Sequence, residues 1–173
     1  AKYGLVRKLH GNGLGITGGV QVAYQHNALS VDHLESVGAG EIYLLSESDT
    51  IATVLPGTSF FLGIPYAPAR NLVDAGAALC IASDYNPGSS PNGRMSFMLS
   101  LACIKMKLLP SEAINASTVN ASFALEMNNI VGSITKGKLA NFILTKPVSS
   151  IAVLPYMFGE DMIESVYING KIV

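Results

Sequence analysis

Apolar residues along the chain gather in short runs separated by longer stretches of mixed pattern. Leu5–His10, Ala28–Leu34, Thr50–Leu55 and Ala78–Asp84 read as strands. Gly18–His26, which follows a Gly-rich loop, Gly40–Glu47 and Ala67–Ala75 read as the helices between them. A longer helix is predicted over Gly93–Leu108, and Ser111 is placed to N-cap the next one, with Pro110 just before it. Strands that alternate with helical segments of roughly 10–15 residues point to βα units and a parallel sheet. The apolar runs suit strands buried on both faces better than half-exposed ones. After Glu126 the texture changes. Gly132–Ile134, Asn141–Leu144 and Ser165–Val173 read as short strands, and Asn169-Gly170 is a strong two-residue hairpin signal. The tail is therefore a small β unit beside an α/β part, with no internal repeat and no low-complexity segment.

Composition narrows the class. Apolar residues make up 49% of the 173, which excludes disorder. Charged residues make up 13%, about half the usual share for a soluble domain, and mean hydropathy is +0.38. No apolar run reaches the roughly 18–20 residues needed to span a bilayer. The richest, Phe97–Leu109, is broken by Ser100, Lys105 and Lys107. Lys and Arg number 11 against 12 Asp and Glu, so the basic excess of a phosphate-contacting nucleic-acid binder is absent. Cys80 and Cys103 lie in apolar runs without CxxC spacing and read as buried free thiols of a cytoplasmic protein. The first ten residues lack the pattern of a signal peptide, and the chain opens almost at once into a strand-like run, as a cut through a longer protein would.

Catalytic groups of α/β sheets gather at the C-terminal ends of strands. His10, His33 and Asp84 fall at three such ends. Two imidazoles and a carboxylate on one rim suit zinc or iron, with a position left for water. Each also has a plainer reading, as a hydrogen-bonded structural histidine or a capping aspartate. In Ser83–Pro91, Gly and Pro force an irregular loop straight after a strand, where backbone N–H groups can face an anion; an ordinary turn is the alternative. Met95, Met98 and Met106 read as core packing, and Lys105 and Lys107 as a solvated face.

At these residues the sequence resembles the imidazolonepropionase family of the amidohydrolase superfamily, nearly end to end over Leu5–Val173. The resemblance is carried by the Leu-His strand end at His10, by Leu29-Ser30-Val31-Asp32-His33-Leu34-Glu35, and by Leu55-Pro56-Gly57. It continues through Ser83–Ser90, Ala102-Cys103-Ile104-Lys105-Met106 and Gly132-Ser133-Ile134-Thr135-Lys136-Gly137-Lys138. It implies the C-terminal half of a TIM (β/α)8 barrel over 1–128 and part of a small β-sandwich domain over 129–173. It also implies one divalent or trivalent metal, zinc or iron, with His10 and Asp84 as ligands and Asp84 also as proton shuttle. His33 would polarise the substrate carbonyl, and Gly13, Asn86, Gly88 and Ser89 would line the substrate site. The implied reaction opens the cyclic amide of 4-imidazolone-5-propanoate with water, giving N-formimidoyl-L-glutamate. A metal lowers the pKa of bound water from ~15.7 towards ~7, and loss of one oxyanion donor commonly costs about 10²–10³ in rate.

Gly13 stands where the family carries Glu or Gln, and Asn141 where the superfamily has Asp. A complete barrel needs about 200–250 residues or more, and only four of its eight strands are read here. The family's His-x-His pair occurs nowhere among His10, His26 and His33; its substrate-carboxylate Arg belongs to the other half, and His26 takes a surface position at a helix end. The piece is thus expected to need an N-terminal half for a complete site and to be inactive alone. Its uncovered strand edges invite pairing, so self-association, as a homodimer, is expected. Two other functions stay open: another metal-dependent cyclic amidohydrolase, and a non-catalytic half-barrel assembly module.

Overall fold

The computed structural model describes residues 3–173. Four parallel strands, β1 (Lys8–Gly11), β2 (Ser30–His33), β3 (Ile51–Val54) and β4 (Leu79–Ile81), lie side by side in sequence order. The chain crosses between them through α1 (Gly19–Gln25), α2 (Ala39–Ser46), and the pair α3 (Pro56–Leu62) and α4 (Ala69–Asp74). Helices α5 (Met95–Ile104), α6 (Pro110–Ser117) and α7 (Val119–Ala124) follow β4. The tail forms an antiparallel sheet of β5 (Phe142–Thr145), β6 (Ile163–Ile168) and β7 (Lys171–Ile172), with the short α8 (Val153–Tyr156) between β5 and β6. Asn169 and Gly170, with φ of 52° and 76°, make the hairpin turn between β6 and β7 that their types favour.

Register assigns the faces of the parallel sheet. His10 pairs with Asp32, Asp32 with Thr53, and Thr53 with Cys80, so these four share one face with Lys8 and Ser30. On the other face Val31, Ala52, Val54, Leu79 and Ile81 meet Val20, Leu45, Leu72, Met98 and Ala102 from the helices in one buried core. Leu45, Leu72 and Ile81 are fully buried, each contributing about 1.5–3 kcal/mol relative to an exposed side chain. The polar face is met by α7, where Ala124 packs on Ile51 and Cys80. Lys8 Nζ donates to Ala124 O at 2.9 Å, and Asn120 Nδ2 to Leu79 O at 2.7 Å. Strands β3 and β4 are buried throughout; β1, at the open edge of the sheet, is mostly exposed.

Several elements differ from expectation. β1 begins at Lys8 because its pairing with β2 begins there, opposite Ser30, and Leu5 and Val6 stay exposed. β4 ends at Ile81, so Asp84 lies three residues beyond it, with φ of 51°. Helix α3 has no counterpart among the predicted elements; it has Pro56 in its first turn and stops at Gly63 with φ of 66°. Helix α6 starts at Pro110 rather than after a Ser111 cap. Proline is preorganised for the first helical position, and the Glu112 carboxylate accepts from Leu109 N–H at 2.7 Å. Gly132–Ile134 forms no strand: Gly132 turns at φ of 92° and Ile134 is exposed. Met98 and Met106 are core, while Lys105 and Lys107 are exposed. Cys80 is buried, Cys103 is half-buried, and both are free thiols.

Candidate active site

The ends of β1 and β2 are tied by a short network. Leu34 N–H donates to Gly11 O at 3.2 Å and Ser36 N–H to Asn12 O at 2.7 Å. Asn12, fully buried, donates from Nδ2 to Ser36 O at 3.1 Å, and its Oδ1 accepts from Gly19 N–H at 3.2 Å. These bonds hold two successive left-handed residues, His33 with φ of 86° and Leu34 with φ of 70°. Such a conformation costs a non-glycine residue about 1–3 kcal/mol and gathers at functional sites.

His33 stands against His10, with ring centroids 3.9 Å apart and planes tilted by 56°. Its Nδ1 lies 3.5 Å from Glu35 Oε2. That separation is longer than the roughly 2.7–3.2 Å of a formed hydrogen bond and leaves the two groups in close approach. Glu35 is the largest cause raising the His33 pKa above its ordinary value; Asp84 and Asp32 add to it, and burial opposes it. The Asp84 carboxylate is steadied from the neighbouring unit, where Thr58 Oγ1 on α3 donates to Oδ2 at 2.7 Å. Beyond Asp84, Asn86 turns its side chain into its own loop. Its Oδ1 accepts from Gly88 N–H and Ser89 N–H, both at 2.8 Å, and its Nδ2 donates to Asp84 O at 2.6 Å.

His10, His33 and Asp84 line one cavity of about 330 Å³, together with Lys8, Asp32, Thr53, Cys80 and residues of α7. Gly13, Asn86, Gly88 and Ser89 are not part of that lining. Gly13 sits behind His33, where an added Cβ would stand 3.6 Å from the His33 Cβ. Asn86, Gly88 and Ser89 form a self-bonded loop at the rim. A larger depression of about 1060 Å³, lined by residues such as Arg7, Glu47 and Asp49 around the N-terminal ends of β1–β3, holds no histidine. Burial pushes the Cys80 thiol up to about 11, so it stays a neutral wall of the smaller cavity.

Among the described residues, no three His, Cys, Asp or Glu side chains gather as a metal-holding group. The trio expected from the sequence shares a cavity without forming such a group, and the His33 imidazole lies between the His10 ring and Glu35. The donor types that remain, an imidazole at His10 and a carboxylate at Asp84, suit zinc or iron as part of a ligand set. Three residues outside the predicted set also shape the site: Asn12, Glu35 and Thr58. Glu35 lies inside the Asp-His-Leu-Glu run, which was the available signal; Asn12 and Thr58 are marked by nothing short of the contacts themselves.

A model of the amidohydrolase family matches residues 5–173. The chain belongs to that family. This amidohydrolase chain is 51% identical over 172 residues to the imidazolonepropionase of Christiangramia forsetii, covering 99% of the chain and 42% of that protein. It is 49% identical over 171 residues to the imidazolonepropionase of Flavobacterium johnsoniae, with the same 99% and 42% coverage. It thus spans under half the length of the curated relatives it matches. In fold it is similar to an adenosine deaminase from Xanthomonas campestris with bound zinc, with a TM-score of 0.83 and 20% identity over 99% of this chain and 46% of that one. It is also similar to an amidohydrolase from a Sargasso Sea sample, with a TM-score of 0.79 and 20% identity over 99% and 42%. These likenesses give the fold: the four βα units of this amidohydrolase are half of a TIM barrel, followed by the small β unit. No helix among the described residues is long and apolar enough to cross a membrane.

Proposed function

We propose that the protein to which this chain belongs is an imidazolonepropionase, hydrolysing the cyclic amide of 4-imidazolone-5-propanoate to N-formimidoyl-L-glutamate. The observation that carries this is the meeting of His10, His33 and Asp84 in one cavity beside the strand ends, in a chain 51% identical to such an enzyme. His10 and Asp84 would hold a zinc or iron ion, with further ligands from outside this chain. That ion would supply acidity to the attacking water.

Asp84 takes the proton from the water as its oxygen bonds to the ring carbonyl carbon. As the C–N bond breaks, Asp84 returns the proton to the leaving nitrogen. Thr58 donates to Asp84 Oδ2 and so holds the carboxylate in place for this transfer. His33 stands where negative charge develops on the carbonyl oxygen. Asn86, Gly88 and Ser89 border the substrate from the rim loop, and Gly13 offers it only backbone. We divide the chain into a barrel part, 1–128, and a part of the small β domain, 129–173. We also place the enzyme in the cytoplasm, as its free thiols favour, and read it as a homodimer.

The test is turnover by the protein with its upstream coding sequence restored, followed as loss of imidazolonepropionate absorbance. Chelator-sensitive turnover abolished by Asp84→Ala is expected. No turnover by metal-loaded protein would reject this substrate and point to another heterocycle fitted to the space beside Gly13.

A further inference from the structure

Glu35 is a buried carboxylate to which the reaction above gives no task. Its side chain is 2% exposed. Oε1 accepts from Ser59 Oγ at 3.3 Å, and Ser59 is itself buried on α3. Oε2 is buried without a hydrogen-bond partner, 3.5 Å from His33 Nδ1. A buried carboxylate oxygen left unpaired is costly, and the polar atom placed to relieve it here is the imidazole nitrogen Nδ1. Two further features arrange it. The left-handed backbone at His33 and Leu34 turns the chain so that residue 35 comes back alongside the ring of residue 33. Gly13 walls the contact, since an added Cβ there would stand 3.7 Å from Glu35 Oε2 and 3.6 Å from His33 Cγ. With no side chain at residue 13, nothing from that position competes for the carboxylate.

We propose that Glu35 is the positioning residue for His33: anchored through Ser59, it accepts the Nδ1 proton and fixes the imidazole so that Nε2 is the nitrogen presented to the cavity. Its consequence for catalysis rests on the reading of His33 given above. With Nδ1–H committed to Glu35, any charge the ring carries at Nε2 towards the carbonyl oxygen is balanced from behind.

The test reads the proton directly. Long-range proton–nitrogen correlation spectra of the protein with its upstream coding sequence restored, recorded at about pH 9, well above the ordinary imidazole range near 6.5, locate the proton of each neutral ring. In the wild type the His33 proton is expected on Nδ1, while exposed His26 shows the Nε2 proton that histidine favours in water. Glu35→Gln keeps an acceptor oxygen and keeps the proton on Nδ1. Glu35→Leu removes the acceptor and moves the His33 nitrogen signals to the Nε2-protonated pattern. Should Glu35→Leu lose the amide dispersion of a folded chain, Glu35→Asp, one methylene shorter, withdraws the acceptor and is expected to shift the signals the same way. A wild-type His33 protonated on Nε2, or signals unmoved in a folded variant lacking the acceptor, overturns the proposal. Because this readout needs no substrate, it separates failure of Glu35 as a positioning group from failure of the proposed reaction.

Discussion

Asn12 joins three pieces of chain at the end of β1: its own loop, the loop after β2 and the start of α1. It does so in a left-handed conformation, with φ of 54°, which asparagine tolerates better than most residues. Asn12→Ala removes two side-chain hydrogen bonds worth about 1 kcal/mol each and leaves a strained alanine. We expect a loss of about 2–4 kcal/mol in urea denaturation. Asn12→Gly loses the same bonds without the strain and is expected to be about 1 kcal/mol less damaging; equal losses would show that the backbone contributes nothing. At this scale the sequence marked His10, His33 and Asp84 through their types and their places at strand ends. It could not give Glu35 its partner. That contact depends on left-handed backbone at a histidine and then a leucine, and leucine has no local preference for it.

Helix α1 meets the end of β1 glycine against glycine. A Cβ on Gly19 would stand 2.8 Å from Gly11 Cα, and backbone cannot yield as a flexible side chain can. Gly19→Ala is expected to force the helix off the strand and lower stability by about 1–3 kcal/mol in thermal or urea unfolding. A neutral effect would mean that the strand end gives way freely. Helices α1 and α2 are linked through Glu41, a buried carboxylate that accepts from Gln21 Nε2 and from Gly38 N–H, both at 2.9 Å. Gln21, then Gly38, hold the Glu41 pKa below its ordinary value. A depressed folded-state pKa stabilises above the unfolded value and is lost as pH falls through the folded one. The wild type should therefore lose stability below about pH 4.3 more steeply than Glu41→Gln; parallel curves of unfolding midpoint against pH would remove this link. Most elements were legible from run length and punctuation, including the Asn169-Gly170 hairpin. Short helices such as α3 were not, because Pro56-Gly57 at a strand end reads equally well as a turn.

The four βα units end in two edge strands, β1 and β4, and expose a set of large apolar side chains, among them Leu5, Leu14 and Ile16. Exposed strand edges are templates for pairing with another chain, and contiguous apolar surface favours association. Light scattering of this chain is expected to show a mass above the monomer that rises with concentration; a monodisperse monomer throughout would count against association. Strand order and the outward core were set by the sequence itself. Apolar runs of strand length separated by helical spacing admit little besides a parallel sheet with helices on its face, since burial of those runs dominates the local energetics. The polar residues at the strand ends were likewise visible, because residue type is written in the chain. Which of them meet was decided by tertiary structure alone. The closeness of His33 to His10 and the bond from Thr58 to Asp84 arise from contacts between different βα units. Such contacts form only once several strands are in register, and no local pattern of residues encodes their distances.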